Sequence, residues 1–198
     1  LFRSLAEALD VSHMTIRRDI SQLESDGLVV GVKGGVRLVE AEAGGHGAPL
    51  DHSARIGLGL PRKRAIAGVA ARHVEDGSVI YLDAGTTTHS LVPLLAGLKD
   101  LTVVTNDFLI VNSLFREPGI TTIHTGGNVD PTAGCAQGLL AAETVSRLNI
   151  DTYFVSTAGW SINKGVSSPS SDKALLKQSV LSASTRSVLL ADSTNVER

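Results

Sequence analysis

Residues 77–90, GSVIYLDAGTTTHS, place a strand, a loop and a helix start in direct succession. Ser78 to Leu82 is a short β-branched and apolar run of the kind that forms a buried strand. It empties into Asp83-Ala84-Gly85-Thr86-Thr87-Thr88, after which Leu91, Leu94, Leu95 and Leu98 are spaced for one face of a helix. That succession is a phosphate-binding geometry. The first amides of a helix lack partners and carry partial positive charge, so an anion there is stabilised without a lysine. Gly85 permits close backbone approach, and three threonines add hydroxyl donors. The same residues also suit an ordinary tight turn with Thr87 or Thr88 as a helix cap, and Walker and dinucleotide fingerprints are absent.

Outward from this stretch, helix and strand patterns alternate. Helical spacing at about 63–74, 88–97, 107–116, 138–147 and 171–184 separates strand-like runs at 78–82, 101–105, 120–124, 151–155 and 186–191. Such alternation predicts a mainly parallel, Rossmann-like α/β sheet covered by helices on both faces. Ligands of such sheets bind at the carboxyl ends of the strands. Those ends read Asp83 to Thr88, Thr105-Asn106-Asp107, His124 to Asn128, Ser156 to Gly159, and Ala191 to Thr194. All are small and polar. Gathered on one rim, they describe a pocket for a hydroxylated, anionic small molecule.

The N-terminal part reads differently. Residues 1–8 have a helical pattern, Leu9-Asp10-Val11 a turn, and Ser12-His13-Met14 opens a second helix with Ile16, Ile20 and Leu23 on one face. Ser12 suits an N-cap and Gly27 a stop. Thr15, Arg17 and Arg18 then point away from the apolar face. Residues 28–32 and 36–39 flank Lys33-Gly34-Gly35 as a β-hairpin. Two helices with a short turn, then a hairpin, match a winged helix-turn-helix whose second helix enters the major groove. Residues 40–61 are rich in Gly and Ala and lack periodicity, as a linker does. The expected domains are therefore 1–40, a linker over 41–61, and an α/β domain over 62–198.

The chain has 198 residues, 42% of them hydrophobic, with a formal net charge of -2. It can bury a sizeable core, and any nucleic-acid contact must be local, because the whole chain carries no basic excess. A single cysteine, Cys135, excludes an internal disulfide framework and suits a reducing cytoplasm. The six histidines have no metal-ligand spacing, so no metal or cofactor is expected. No apolar run approaches the ~20 residues that span a bilayer, and no membrane partner is expected. Because the sequence starts on Leu1 inside a helical pattern, its N-terminus is expected to be truncated.

The run VSHMTIRRDISQLESDGLV at 11–29, followed by VKGGV at 32–36, resembles the DNA-binding half of the DeoR family of bacterial transcriptional regulators. That family carries a V-S-x-x-T-I-R-R-D-L core before a Gly-ended helix and a V-x-G-G-A turn. Ile20, Lys33 and Val36 are departures from it. The second domain resembles the DeoR effector domain through DAGTTT, TND, GG followed by Gly138, IDTYFVSTAG, KGVSS and a distal Lys177. The resemblance implies a fold like that of ribose-phosphate isomerases and CoA-transferases, and an effector that is a phosphorylated sugar. It further implies phosphate or hydroxyl binding by Asp83, Gly85, Thr86, Thr87 and Thr88. Asn106, Gly126 and Gly127 would line the pocket, with Lys177 neutralising the anion. Ser12, His13, Thr15, Arg17 and Arg18 on the reading helix, with Lys33 on the wing, would contact DNA. The resemblance, carried by the motifs at 11–36 and 83–177, also implies truncation after Arg198. Two departures stand out: Asn195 where the family supplies a lysine, and Lys173 where it usually has an acidic residue.

The expected function is a DNA-binding regulator, a repressor of carbohydrate-metabolism genes controlled by a phosphorylated sugar. Its expected partners are double-stranded operator DNA, the effector and further copies of itself as a dimer or tetramer, since helix-turn-helix proteins read paired half-sites. The alternative is a sugar-phosphate isomerase or transferase with an inert N-terminal domain. That chemistry needs a general base, for which Asp83 is the placed carboxylate, with Asp107 and Asp192 at neighbouring strand ends. His89 and Cys135 belong to no nucleophile motif.

Overall fold

In the computed structural model, residues 2–25, 29–32, 35–38, 55–157, 159–163, 165–168 and 170–192 are described. The chain divides into two compact units, Leu1–Pro61 and Arg62–Arg198.

In the first unit, α1 (Phe2–Leu9) and α2 (His13–Ser25) flank a three-residue turn. Asp10 takes a left-handed conformation (φ 51°) and the Val11 amide donates back to the Ala6 carbonyl at 3.1 Å. That is a Schellman closure, with aspartate tolerating the conformation that glycine usually occupies. Ser12 then caps α2, its Oγ accepting from the Thr15 amide at 3.1 Å. Ala6, Ile16 and Ile20 form the core with Leu5 and Val36, whereas Leu23, expected on the same face, stays 37% exposed. The antiparallel hairpin of β1 (Val29–Val32) and β2 (Gly35–Leu38) pairs Val32 with Gly35. Gly27 and Lys33 lie outside the described residues, as does most of the expected linker.

The second unit contains α3 (Leu60–Ala70), β3 (Val79–Leu82), α4 (Thr86–His89), β4 (Leu101–Thr105), α5 (Phe108–Leu114) and β5 (Ile120–His124). There follow β6 (Asn128–Asp130), β7 (Cys135–Gln137), α6 (Leu139–Val145), β8 (Ile150–Ser156), β9 (Gly159–Ser161), β10 (Gly165–Ser167), α7 (Ser171–Ser182) and β11 (Ser184–Leu190). The main sheet runs β11-β8-β3-β4-β5, with every neighbouring pair parallel. Alternate side chains enter opposite cores. Ile80, Leu82, Val103 and Phe154 pack with Ala67, Ala70, Ile110 and Leu114 on one face. Tyr81, Val104, Tyr153 and Val155 pack with Ala141, Val145, Leu176 and Val180 on the other. The expected α/β sheet with helices on both faces is thus observed.

The helix expected over 88–97 is broken. α4 lasts one turn, and a 3₁₀ turn at Val92–Leu94 contains Pro93, which has no amide to continue an α-helix. Leu91 and Leu95 are nonetheless fully buried, so the apolar spacing served packing and not helix continuity. The hairpins β6–β7 and β9–β10 went unanticipated, because three-residue strands are too short to show a period-2 pattern. Among the described residues no helix is long and apolar enough to cross a membrane, and no metal-binding cluster is present.

Candidate functional site

The sheet order reverses direction between β3 and β8, because β4 and β5 build outward on one side of β3 while β8 and β11 build on the other. In open sheets of this kind the connections diverge at such a reversal, which is where their ligands bind. Asp83 stands at the end of β3 in that position and is 4% exposed. Its Oδ1 accepts from the Ala84 amide at 3.0 Å and its Oδ2 from the Ser156 amide at 3.0 Å, at the end of β8. Lys177, on α7, donates to the same Oδ2 and to the Ser156 carbonyl at 2.7 Å. A buried carboxylate is costly unless paired and hydrogen-bonded. Here it has both kinds of partner.

The loop after Asp83 is held by the end of β4. Asn106 Oδ1 accepts from the Ala84 amide at 3.1 Å, and Asp107 Oδ2 from the Gly85 amide at 3.1 Å. Asn106 also donates to the Ala136 carbonyl at 2.8 Å, which joins this layer to β7. Gly85 has extended backbone at φ 166°, so glycine is required there for space and not for conformation. A Cβ would lie 2.1 Å from Ser156 Oγ. Thr86 and Thr87 are half-buried, while Thr88 is fully buried and donates to the carbonyls of Asp83 (2.7 Å) and Gly85 (2.6 Å). The Thr88 hydroxyl therefore closes the loop on itself.

Electrostatics concentrate in this layer. Burial pushes the Asp107 carboxyl up to about 6, against the lowering effect of the amides of Ile110, Leu109 and Gly85, and Asp83 adds to the rise. Burial also raises the phenols of Tyr81 and Tyr153 well above their usual range, with Asp83 contributing to both. The two rings meet edge to face at 5.3 Å. Burial likewise pushes the Cys135 thiol up to about 11, so it is a packed thiol and no ready nucleophile. One turn before Lys177 on α7, Lys173 pairs with Asp130 of β6 at 2.8 Å. Burial pushes the Asp130 carboxyl up, but the Lys173 and Ala133 hydrogen bonds outweigh it and hold it below its ordinary value.

Asp83, Gly85, Thr88, Asn106 and Lys177 are thus linked by hydrogen bonds in one layer. Gly126 and Gly127 lie apart from it. Both have positive φ (67° and 112°), and a Cβ on Gly127 would meet the Gln137 carbonyl at 2.6 Å. With Thr125, Leu140, Thr144 and Arg147 they line a groove of about 580 Å³. Among the described residues no hydrogen bond ties either glycine to Asp83. Asp107 and Ser156, on the strand-end rim expected from the sequence but not among its effector-binding residues, also belong to this layer. An aspartate directly before an apolar helical run is a cap signal, which marks Asp107, whereas nothing local marks Ser156. His89 hydrogen-bonds Ser113 Oγ at 2.9 Å, joining α4 to α5.

On α2, Ser12, His13, Arg17 and Arg18 are exposed and Thr15 half-buried. Ser12 Oγ and Thr15 Oγ1 lie 2.9 Å apart. Arg18 and Asp19 approach to 3.6 Å with both side chains exposed, which holds the arginine only weakly. Met14 is 73% exposed on the first turn of the same helix.

Residues 2–42 match the family described as DeoR-like helix-turn-helix domain, and residues 60–198 the family described as DeoR C terminal sensor domain. The chain is 42% identical over 190 residues to an uncharacterised HTH-type transcriptional regulator of Escherichia coli, covering 96% of this chain and 72% of that protein. It is 32% identical to the HTH-type transcriptional regulator GolR of Listeria innocua (97% and 74% covered). To the transcriptional repressor AccR of Agrobacterium fabrum it is 31% identical (95% and 72%). Among solved structures, ribose 5-phosphate isomerase A of Methanocaldococcus jannaschii superposes with a TM-score of 0.50 at 14% identity, over 69% of this chain and 54% of that one. The Neisseria gonorrhoeae enzyme does so with a TM-score of 0.50 at 19% identity, over 68% and 52%. The chain thus spans about half the length of these structures, and the likeness is one of fold.

Proposed function

Because the chain belongs to the DeoR family of helix-turn-helix transcriptional regulators, and is therefore a regulator and not an enzyme, we propose the following finer reading. It is a repressor of carbohydrate-metabolism genes, and a phosphorylated sugar or related metabolite bound at the strand ends of the second unit controls its affinity for operator DNA. The observation that carries this is the Asp83–Lys177 pair, buried where the sheet order reverses and surrounded by small polar loops. Such a crevice suits a hydroxylated ligand. Asp83 accepts from hydroxyls, Lys177 supplies the positive charge, and Thr86 and Thr87 offer hydroxyls beside the unpaired amides of a first helical turn. Asn106 and Thr88 hold the loop, and Gly126 and Gly127 line the adjoining groove.

In the first unit, the exposed residues of α2 suit the major groove: Arg17 and Arg18 reach base edges or phosphates, and Ser12, His13 and Thr15 stand at the entering turn. Lys33, outside the described residues, is a further DNA contact proposed from the sequence alone. The relative named as a transcriptional repressor supports the sign of regulation. A cytoplasmic homodimer or tetramer would present two such helices to a symmetric operator. The coupling is the difference in effector affinity between DNA-competent and DNA-incompetent arrangements.

Gel retardation of the protein's own promoter DNA, with and without ribose 5-phosphate, glucose 6-phosphate and fructose 1-phosphate, tests this reading. Retardation reversed by one sugar phosphate, together with a thermal shift by the same compound, is the expected result. Retardation insensitive to every phosphosugar, with no thermal shift, overturns the effector assignment. Turnover of any of them well above background overturns the regulatory use of the crevice.

A further inference from the structure

The loop from Asp83 to Thr88 is suspended from two consecutive side chains at the end of β4. Asn106 takes the Ala84 amide and Asp107 takes the Gly85 amide. The two oxygens of Asp107 do different work: Oδ1 accepts from the Leu109 and Ile110 amides at 2.8 and 3.0 Å and caps α5, while Oδ2 is the oxygen turned to Gly85. Capping a helix requires one acceptor oxygen, which serine or asparagine supplies as well as aspartate. A fully buried carboxylate is a costly way to obtain it. The second oxygen is what an aspartate adds. The Ser156 side chain fills the space that a Cβ on Gly85 would take, so the residue is held by an acceptor for its amide and has no room for a side chain.

Resting on the effector reading above, we propose that Asp107 is the positioning residue of the effector loop, its Oδ2 fixing the Gly85 amide so that Thr86 and Thr87 face the ligand in one orientation. Asp107 makes no ligand contact in this role. The same residue joins the loop to α5 through Oδ1 and to the β6–β7 hairpin through its backbone bridge with Cys135. Loop orientation is thereby tied to two elements outside the crevice.

The substitution Asp107→Asn separates the two oxygens' roles: its carbonyl can still cap α5, but its amide group sets a donor against the Gly85 donor. Asp107→Ser keeps the cap and removes the second acceptor without adding a donor. Amide hydrogen exchange by NMR on the full chain reads the result without any ligand. In the wild type the Gly85 amide is slow to exchange. In both variants Gly85 exchange rises about tenfold or more while Leu109 and Ile110 stay protected, as expected for loss of one hydrogen bond. A Gly85 amide that exchanges freely in the wild type overturns the proposal, even if neither variant folds. So does unchanged Gly85 exchange in the variants. With ribose 5-phosphate as the probe, Asp107→Asn weakens binding by about tenfold, the worth of one such bond. Unchanged affinity beside faster Gly85 exchange also overturns it. Absence of binding in the wild type, with the exchange pattern as expected, instead removes the effector reading and leaves Asp107 as the residue that holds the loop.

Discussion

Lys177 and Asp83, 94 residues apart in sequence, form an ion pair at the end of β3, with their side chains 19% and 6% exposed. Removing the lysine takes away the cation and leaves a buried carboxylate held by the Ala84 and Ser156 amides, and an uncompensated buried charge is strongly destabilising. Lys177→Met should therefore lower the stability of the second unit by about 2–3 kcal/mol. Asp83→Asn combined with Lys177→Met should cost less than the lysine change alone. Urea unfolding followed by fluorescence of Trp160, the single tryptophan, measures both. With Asp83→Asn measured alone as well, a double-variant loss equal to the sum of the two single losses would show that the two residues are not coupled.

Asp107 gives a pH dependence with a definite sign. Its carboxyl is raised from the ordinary 3.8 to about 6 in the folded chain, so between these values the native state holds the proton more tightly than the unfolded state. The contribution is fully present below about pH 4 and is lost as pH rises through about 6. The stability of wild type minus that of Asp107→Asn should therefore fall across pH 4–6 and level off above it. The fall should be at most about 3 kcal/mol, given 1.36 kcal/mol per unit. Urea midpoints for both proteins across that range supply the difference, and a flat profile would refute it.

Gly85 tests space and not backbone conformation. A Cβ there would sit 2.1 Å from Ser156 Oγ and 2.8 Å from its Cβ, so Gly85→Ala must displace the end of β8. The expected cost is about 1–3 kcal/mol, as for overpacking. Adding Ser156→Gly should recover much of it. Failure of the second change to help would mean that something other than this contact requires glycine.

Arg17 and Arg18 are exposed and carry no core contact, so replacing either by alanine should leave the melting temperature nearly unchanged. Operator affinity should fall by about 1–3 kcal/mol if the side chain reads a base. If it meets only phosphate, the loss should extend equally to unrelated DNA, with a shallower salt dependence. Titration by fluorescence anisotropy at two salt concentrations separates these outcomes. No loss in either variant would remove α2 as the reading helix.

The strand positions were legible because buried parallel strands are continuous apolar runs, and β4 and β5 appear at the residues expected. The helix-turn-helix was legible because Ser12, Ile16 and Ile20 each carry a local signal, a cap and a 3.6-residue period. Leu91, Leu94, Leu95 and Leu98 are spaced for one helix face, but Pro93 lies in a 3₁₀ turn that interrupts the helix, and only Leu91 and Leu95 of the first three are buried while Leu94 is 47% exposed. The hairpin carrying Asp130 and Cys135 was missed because its strands are too short for periodicity.

By itself the sequence determined the alternation of strands and helices, the small polar strand ends and the helix-turn-helix, all of which depend on neighbours within a few turns of chain. Only the tertiary structure decided that β8 lies beside β3, and hence that Ser156 fills the space a Cβ on Gly85 would take and Lys177 reaches Asp83. Strand order is a choice among non-local pairings that local spacing does not encode. It also decided that the Thr88 hydroxyl turns inward to two carbonyls while Thr86 and Thr87 stay half-exposed, because a hydroxyl's partner is set by where the backbone is carried and not by the residues beside it.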